Sequence, residues 1–551
     1  MLMKKYAIGV DFGTESGRVV LVDVATGEVA GTHSTQYKHG VITETLPHKQ
    51  KKLKNSTALQ HPQDYLDVLE TSIPRVLEDS GVSKDDIVGI GIDFTSCTIL
   101  PVDEQLTPLC FQEKWKDEPH AWVKLWKHHA AQPEADTINQ LASESNEEWL
   151  KRYGGKISSE WMLPKILEII HDCEDLYHEA ALFLEAADWL TSLMVGEVKR
   201  NSCSAGYKGM WHKQEGYVRK EFLKRLHPLM ENIYETKLSG EVVPIGSKAG
   251  ELTEEFAAKI GLKPKTPVAI GIIDAHAAVP GAGVTAPGSM VMVMGTSTCH
   301  MLLSTKEEFV EGISGVVEDG IIPGYYGYEA GQAAVGDIFA WFVKELVPGY
   351  VEREAEAKNL SIHQYLEQKA STLPPGSKGL LALDWHNGNR TPLVDANLSG
   401  LLVGLTLNTK PEEIYRALIE STAFGTRLII ESFENAGIEI NELVACGGLP
   451  HQNEMLMQIY ADVTARPIKI ASNKITSAIG AAMFGAVAAG SKLGGYDTIE
   501  EAAANMAKLK DKVFYPKQDH VEKYNLYYEE YKKLVNYFGR GTNNVMKKIK
   551  N

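Results

Sequence analysis

Two short segments of this chain follow one plan, although they lie far apart in the sequence. The first is an apolar run, Tyr6 to Val10, then the turn Asp11-Phe-Gly-Thr-Glu-Ser-Gly17 and another apolar run. The second is Ser289 to Met294, the turn Gly295-Thr-Ser297 and the apolar run Thr298 to Leu303. Each pattern predicts a β-hairpin with a Gly-Thr turn. Because one hairpin heads each half of the chain, the pair indicates a duplicated architecture.

Between and after the hairpins, apolar runs and periodic patterns predict alternating strands and helices, which is typical of an α/β protein. The segment from about Lys114 to Gly240 differs, because it is rich in tryptophan, histidine and charge. We interpret it as a mainly helical elaboration of the N-terminal half. The clearest predicted elements are the strands Ile87–Ile92, Val268–Ile273 and Glu442–Cys446 and the helices Pro62–Gly81, Pro411–Ala436, Gln452–Thr464 and Thr476–Gly490.

Length, charge and cysteine spacing narrow the class of protein. A chain of 551 residues predicts roughly two to four domains. The net charge of −16 disfavours nonspecific binding to nucleic acid, which needs an excess of Lys and Arg. No apolar run approaches the length of a membrane span, and the N-terminus lacks a signal-peptide pattern. The six cysteines contain no C-x-x-C pair, which indicates free thiols, so we expect a cytoplasmic protein.

Both predicted turns carry residues suited to binding phosphate. Glycine permits the tight backbone whose N–H groups face an anion, and a carboxylate such as Asp11 is a suitable ligand for Mg²⁺. One such turn alone is more often an ordinary hairpin, but two in matched context favour a clamp on a polyphosphate. The candidate residues are Asp11, Gly13, Thr14 and Ser16 in the first turn and Gly295, Thr296 and Ser297 in the second.

Two further sites allow more than one interpretation from the residues alone. Asp274 follows the predicted strand and so lies where α/β proteins bind ligands, as a candidate general base. It is equally suited to cap the helix predicted for residues 275–279. Gly447-Gly448, between a strand and a helix, permits close approach of an adenosine or serves as a plain connection.

Four segments, taken together, resemble the FGGY carbohydrate kinases. They are Ile8–Arg18, Gly271–His276, Met294–Ser297 and Cys446–Gly448, and they occur in the family's order over nearly the whole chain. The resemblance implies an actin-like ATPase fold of two RNase H-like domains with a cleft between them. It assigns residues 1–285 to a domain that binds sugar and carries the base, and residues 286–551 to a domain that binds ATP.

The same resemblance implies roles for individual residues. Asp274 becomes the catalytic base and Asp11 holds Mg²⁺. The residues implied to bind ATP are Gly13, Thr14, Arg18, Gly295, Thr296, Ser297, Gly447, Gly448 and Asn453. The implied partners are therefore two small molecules, ATP and a sugar. The resemblance to this family also implies a homodimer.

Segments outside the two predicted phosphate-binding turns resemble the family members that phosphorylate L-ribulose on its C5 hydroxyl, in L-arabinose catabolism. These segments are Tyr153–Trp161, Ser204–Lys208, Gly324–Gln332 and Asp384–Arg390. They imply that Lys208, Asp274 and Glu329 contact the ketopentose, with Ser96 in the same pocket. The chain departs from this resemblance at one position, where His128 stands in place of an expected Asp.

Three alternatives compete with this interpretation. Another kinase of the family would act on xylulose, glycerol or a related polyol. A non-metabolic actin-like ATPase would signal through conformational change and would need a large peptide-binding region. A sugar-responsive regulator would need a helix-turn-helix with a basic face, whereas this N-terminus leads directly into a predicted strand.

Overall fold

The computed structural model describes residues 4–47, 49 and 52–549. The outermost positions of the two predicted domain ranges, residues 1–3 and 550–551, therefore lie outside the described residues. Among the described residues, none of the helices combines the length and the apolar character that a membrane crossing requires.

Strands and helices alternate along the described chain. The strands are β1 (Tyr6–Phe12), β2 (Ser16–Asp23), β3 (Val29–Gln36), β4 (Leu59–Gln60), β5 (Ile87–Phe94), β6 (Ile99–Val102), β7 (Val123–Lys124), β8 (Leu182–Glu185), β9 (Lys199–Asn201), β10 (Glu241–Val243), β11 (Lys248–Glu251), β12 (Pro267–Ala269), β13 (Ile272–Ile273), β14 (Gly288–Met294), β15 (Thr298–Ser304), β16 (Gly315–Glu318), β17 (Tyr326–Gln332), β18 (Leu381–Leu383), β19 (Leu401–Val403), β20 (Ile440–Gly447) and β21 (Ile468–Ile470). The α-helices are α1 (Pro62–Ser80), α2 (Gln132–Glu144), α3 (Met162–Asp172), α4 (Glu174–Glu179), α5 (Ala186–Val195), α6 (Ser202–Gly209), α7 (Lys220–Leu226), α8 (Ile233–Thr236), α9 (Glu254–Ile260), α10 (Asp274–Gly281), α11 (Gly336–Glu345), α12 (Gly349–Ala357), α13 (Ile362–Ser371), α14 (Pro411–Asn435), α15 (Glu454–Thr464), α16 (Thr476–Ala489), α17 (Ile499–Met506), α18 (Gln518–Leu534) and α19 (Val545–Lys548).

The two large sheets share one topology. In the first, the neighbouring strands are β3-β2-β1-β5-β12, extended by β11, while β13 also pairs with β5. In the second they are β17-β15-β14-β20-β21, extended by β16. In each sheet the hairpin strands pair antiparallel, and the next two strands on the other side of the first hairpin strand run parallel to it. The extra strands β11 and β16 pair antiparallel at opposite ends of their sheets. The predicted duplication is confirmed at the level of strand order and direction.

Small residues let helix α16 pack directly against its neighbours. A Cβ on Gly9 would lie 1.9 Å from the carbonyl oxygen of Ala478, so the sheet and the helix touch backbone to backbone. A Cβ on Gly480 would lie 1.8 Å from the carbonyl oxygen of Ala277 in α10. The core around α16 also contains Val291 from the second sheet. Helices α10 and α16 therefore form a layer between the two sheets and join the halves of the molecule.

Most predicted elements match the structure closely, although the strand predicted for Val268–Ile273 is two short strands, β12 and β13. Helix α1 ends where expected, because Gly81 adopts the left-handed conformation with φ of 68°. The first hairpin turn is shorter than predicted, however, since the ladder between β1 and β2 continues through the pair Asp11 and Arg18 to Phe12 and Gly17. Asp11 therefore lies on a strand, not within the turn, and its side chain has a fixed direction.

The elaboration in the N-terminal half is mainly helical, as predicted, and carries helices α2 to α8. It also contains a small sheet, β4-β7-β6-β8, which the sequence pattern did not predict. Its strands have only two to four residues, too few to show an alternating pattern. Trp115, Trp122 and Trp161 are buried in the separate core of this region.

Candidate active site

The first hairpin turn is held from several sides. The Gly13 amide donates to the carbonyl oxygen of Ser16 over 3.0 Å, which closes the turn. Outside it, Gln60 Nε2 donates to the Thr14 carbonyl at 2.7 Å, and the indole of Trp126 donates to Thr14 Oγ1 at 3.1 Å. The elaboration that carries Trp126 thus contacts the predicted phosphate loop, a link that sequence reasoning missed because the two residues are far apart in the chain.

The second hairpin turn is fixed by the start of helix α11. The Gly295 amide donates to the carbonyl oxygen of Ser297 at 2.9 Å. The carbonyl oxygen of Thr296 accepts from the amides of Val335 at 2.8 Å and Asp337 at 3.2 Å. The turn predicted from Gly295, Thr296 and Ser297 therefore exists and is built into the second domain's packing.

The predicted adenosine residues lie beside this second turn. Gly447 pairs with Met294 across the parallel strands β14 and β20. Its φ is +90°, and a Cβ there would lie 2.4 Å from the Met294 carbonyl oxygen, so the position requires glycine. A Cβ on Gly448, in contrast, would meet open space. Asn453 caps α15 by accepting from the Leu456 amide at 2.7 Å, so its carbonyl group already has a structural role.

Three carboxylates lie close together at the end of the first sheet. Asp11 and Asp93 stand side by side in register on the parallel strands β1 and β5. Ile272 of β13 pairs with Asp93, and Asp274 begins α10 directly after β13. Asp274 is close enough to both Asp11 and Asp93 for their charges to interact. Sequence reasoning identified Asp11 and Asp274 but missed Asp93, whose surroundings depend on two distant strands.

Asp274 is the first residue of helix α10, and its contacts distinguish the two interpretations of this residue. Its carboxylate accepts from the adjacent Ala275 amide at 2.6 Å, whereas an N-cap bonds an amide two or three residues ahead. The residue in the capping position is Ile273. Burial, followed by the charge of Asp11, raises the pKa of Asp274 to about 7. A carboxyl group with this pKa can accept or release a proton near neutral pH.

Lys208 and Glu329 form a buried ion pair that joins the two halves of the chain. Lys208 on α6 donates to Glu329 Oε2 at 2.9 Å and to Oε1 at 3.2 Å, and Glu329 lies on β17 of the second sheet. Burial lowers the pKa of Lys208, but the Glu329 charge outweighs it, so the pKa is raised. Burial likewise raises the pKa of Glu329, and Lys208 outweighs it, so this pKa is lowered. Both groups are therefore charged at neutral pH.

The loop that carries Ser96 is anchored by a buried lysine. Lys165 is fully buried, and its ammonium donates to the carbonyl oxygens of Cys97 at 2.5 Å and Leu125 at 2.9 Å. Cys97 takes the left-handed conformation, with φ of 46°. The buried hydroxyl oxygen of Ser96 has no hydrogen-bond partner within the described part of the chain. Ser96 thus has a free donor and acceptor on a loop held in place by Lys165.

His128 belongs to a separate buried cluster. Its Nε2 lies 2.9 Å from Glu168, its Nδ1 accepts from the Ala58 amide at 3.3 Å, and Lys124 also contacts Glu168 at 2.7 Å. Burial, followed by the charge of Lys124, lowers the pKa of His128 to about 3, so the ring is neutral. The departure from the family pattern therefore has a structural explanation, because a neutral donor fits beside Glu168 where an aspartate would repel it.

The predicted residues converge on Asp274. It interacts electrostatically with Asp11 of the first hairpin and with Glu329 and Lys208, and its helix packs against β14 and β15 of the second hairpin. Arg18, opposite Asp11 on β2, lowers the pKa of Asp11 through its charge, although burial leaves that pKa raised. A carboxylate, a buried ion pair and two glycine turns thus meet between the two sheets.

Sequence comparison covers both halves of the chain. Residues 6–281 match the N-terminal domain of the FGGY family of carbohydrate kinases, and residues 290–489 match the C-terminal domain of the same family. The chain is an FGGY carbohydrate kinase. As a member of that family it is an enzyme that transfers a phosphoryl group to a sugar, and the actin-like ATPase without metabolic activity is excluded.

Curated relatives agree with this assignment to the FGGY family. A ribulokinase from Halalkalibacterium halodurans is 59% identical over 546 residues, covering 99% of this chain and 97% of the relative. A ribulokinase from Geobacillus thermodenitrificans is 58% identical over 547 residues, with coverage of 99% and 97%.

The solved structures show the fold. A gluconate kinase from Lactobacillus acidophilus superposes with a TM-score of 0.80 at 18% identity, covering 98% of this chain and 99% of the other. A xylulose kinase from Rhodospirillum rubrum gives 0.78 at 22% identity, with coverage of 96% and 98%. The predicted fold class, two α/β domains of the actin-like ATPase type, is confirmed.

Proposed function

We propose that this FGGY kinase transfers the γ-phosphoryl group of ATP to the C5 hydroxyl of L-ribulose, giving L-ribulose 5-phosphate and ADP. The observation that carries the proposal is the position of Asp274, between the carboxylate of the first hairpin and the Lys208–Glu329 pair. The high identity to ribulokinases over nearly the full chain supports the choice of sugar. The partners are these two small molecules, and the family resemblance implies a homodimer.

ATP would bind between the two hairpins. The turns at Gly13–Thr14 and Gly295–Ser297 would offer the phosphates their hydroxyl groups and the backbone N–H groups that do not close the turns, since the Gly13 and Gly295 amides already donate to Ser16 and Ser297. Arg18 adds a positive charge beside the first turn. The adenosine would lie along Gly447 and Gly448. A Cβ on Gly448 would point into open space that the adenosine could occupy, whereas Gly447 packs against Met294.

L-Ribulose would bind on the other side of Asp274. Lys208 is a donor and Glu329 an acceptor, and a sugar hydroxyl can hydrogen-bond to both charged groups at once. The unpartnered hydroxyl of Ser96 offers a further polar contact. Since the ion pair joins α6 to β17, a sugar bound there would contact both halves of the protein.

Asp274 would act as the general base. As the C5 oxygen forms its bond to the γ-phosphorus, the hydroxyl proton passes to the Asp274 carboxylate and the bond from phosphorus to the bridging oxygen of ADP breaks. Positioning and electrostatic stabilisation by the fixed turns supply most of the remaining rate enhancement.

A divalent cation, which we take to be Mg²⁺, fits the acidic end of the first sheet. Asp11 would hold the cation. The neighbouring carboxylate oxygens of Asp93 have no hydrogen-bond partner among the described residues, and their negative charge also favours a cation at this position. When bound, the cation neutralises charge on the ATP phosphates. The residues present therefore agree with the cation that the family implies.

The activity should depend on pH through Asp274. The base works only when ionised, so kcat/KM for L-ribulose should fall as the pH drops below about 7, the pKa set by burial and by Asp11. Saturating divalent cation near Asp11 should move this midpoint to lower pH, because a positive charge favours the carboxylate. A pH profile measured at two cation concentrations checks both statements; a profile flat from pH 5.5 to 8 at low cation would contradict them.

A panel of acceptors tests the choice of sugar. ADP release is measured with L-ribulose, D-ribulose, D-xylulose, glycerol and gluconate under identical conditions. We expect the highest kcat/KM with L-ribulose and higher values with the ketopentoses than with glycerol or gluconate. A higher kcat/KM with D-xylulose, glycerol or gluconate would assign the enzyme to another member of the family.

A further inference from the structure

Asp93 is a buried carboxylate to which the family resemblance assigns no role. Its side chain is fully buried at the end of β5. Neither of its carboxylate oxygens has a hydrogen-bond partner within the geometric limits among the described residues. The carboxyl group of Asp11 is close enough to interact with it. A carboxylate removed from water without a donor is costly, so a position like this is kept only where something else compensates it.

The register of the sheet fixes where Asp93 points. Gly9 and Gly91 lie on the same face as Asp11 and Asp93, two residues earlier on each strand, and both glycines contact α16. Beyond the region covered by α16, the same face carries the two carboxylates. Asp93 therefore points with Asp11 toward the end of the sheet where the first phosphate turn and Asp274 lie.

The surroundings of Asp93 are negative. The charged groups that act on Asp93 are the carboxylates of Asp11 and Asp274 and, with the opposite sign, the guanidinium of Arg18. Asp93 is fully buried, whereas Asp274 is half-buried. The partner that compensates Asp93 is therefore small and positively charged: a cation held together with Asp11, or a proton that the two carboxyl groups share when no cation is bound.

We propose that Asp93 is a second carboxylate of the divalent-cation site, acting beside Asp11 to hold and position the cation that accompanies ATP. This inference rests on the proposed function, since it concerns the cation of that same phosphoryl transfer. Carboxylate oxygens suit Mg²⁺ and Mn²⁺, and two adjacent ones fix the position of the cation better than one. Asp93 is thus a metal-positioning residue distinct from the base.

The test measures binding of Mn²⁺, without sugar and without turnover. Free Mn²⁺ is followed by electron paramagnetic resonance while it is titrated into the full-length enzyme with saturating ADP. For Asp93→Asn we expect the Mn²⁺ dissociation constant to rise roughly ten- to hundredfold. Asp11→Asn serves as the positive reference and should weaken binding at least as much.

A matched control separates this effect from the general loss of a buried carboxyl group. Glu185 is also buried with an oxygen that lacks a partner in the described chain, and it lies on β8 of the elaboration. Glu185→Gln should leave the Mn²⁺ dissociation constant within twofold of wild type. Since Asp93→Asn keeps the side-chain shape and removes a buried charge, it should melt no lower than wild type in metal-free buffer.

The inference is overturned if Asp93→Asn binds Mn²⁺ within twofold of wild type while Asp11→Asn does not. If the asparagine variant fails to fold, Asp93→Ser is titrated instead, and the same twofold limit decides. Failure of the proposed function is recognised separately, because wild-type enzyme would then bind Mn²⁺ with ADP yet prefer another acceptor in the sugar panel.

Discussion

Replacing Asp274 with asparagine should reduce kcat for L-ribulose phosphorylation by roughly 10²–10⁴-fold. Asparagine keeps the shape of the side chain but cannot take the hydroxyl proton, so only catalysis by positioning and electrostatics remains. ADP binding should change little, because the nucleotide contacts lie in the two hairpins and beside Gly447. Steady-state kinetics and calorimetric titration with ADP measure the two effects.

Glu185→Gln is the matched control for this variant. Burial, followed by the charge of Asp188, raises the pKa of Glu185 to about 7, as it does for Asp274, yet Glu185 lies on β8 away from the three carboxylates. We expect its kcat to stay within about threefold of wild type, because burial and a raised pKa do not by themselves make a carboxyl group a catalytic base. A kcat close to that of wild type in Asp274→Asn would show that Asp274 is not the catalytic base.

Replacing Lys208 with methionine should destabilise the protein by about 3–5 kcal/mol, because Glu329 would remain as a buried charge without its partner. The midpoint of the urea transition should therefore fall. The loss should be smaller near pH 5, where Glu329 can take up a proton. The KM for L-ribulose should rise as well, since the variant loses a donor to the sugar.

The double variant Lys208→Met, Glu329→Gln shows whether the single variant is destabilised by its unpaired buried charge or by lost packing. With both charges removed, most of the lost stability should return, whereas the high KM should remain. Lys533→Met serves as control, because Lys533 and Glu530 form an exposed pair on α18 whose loss should not measurably move the urea midpoint. Equal destabilisation in the single and double variants would show that Lys208 acts through packing alone.

The sequence predicted the fold well because its signals are local and occur twice. The two Gly-Thr hairpins and the apolar strands after them were enough to indicate two related domains, and the sheets have matching strand orders. Helix α1 was predicted almost to the residue because Gly81 supplies a left-handed C-terminus. The small residues of α16 predicted close packing, and Gly480 contacts the backbone of α10 directly.

The candidate site was predictable only where its residues lie in local motifs. Asp11 lies on a hairpin strand just before the turn and Gly295 lies in a turn, so the local sequence determines much of their surroundings. Asp93 precedes no turn signal of its own, and its proximity to Asp11 depends on the register of two strands. The contact between Trp126 and Thr14 is set by how the elaboration docks on the first hairpin. Such tertiary contacts depend on long-range packing that a single sequence does not display.

The identity of the product tests the proposed reaction most directly. The enzyme is incubated with ATP and L-ribulose labelled with ¹³C, and the product is examined by ³¹P and ¹³C nuclear magnetic resonance. We predict one phosphate monoester, with coupling to phosphorus at C5, formed in equal amount with ADP. Phosphate on another carbon, or ADP released without a phosphorylated sugar, would contradict the assignment of Asp274 as the base for the C5 hydroxyl.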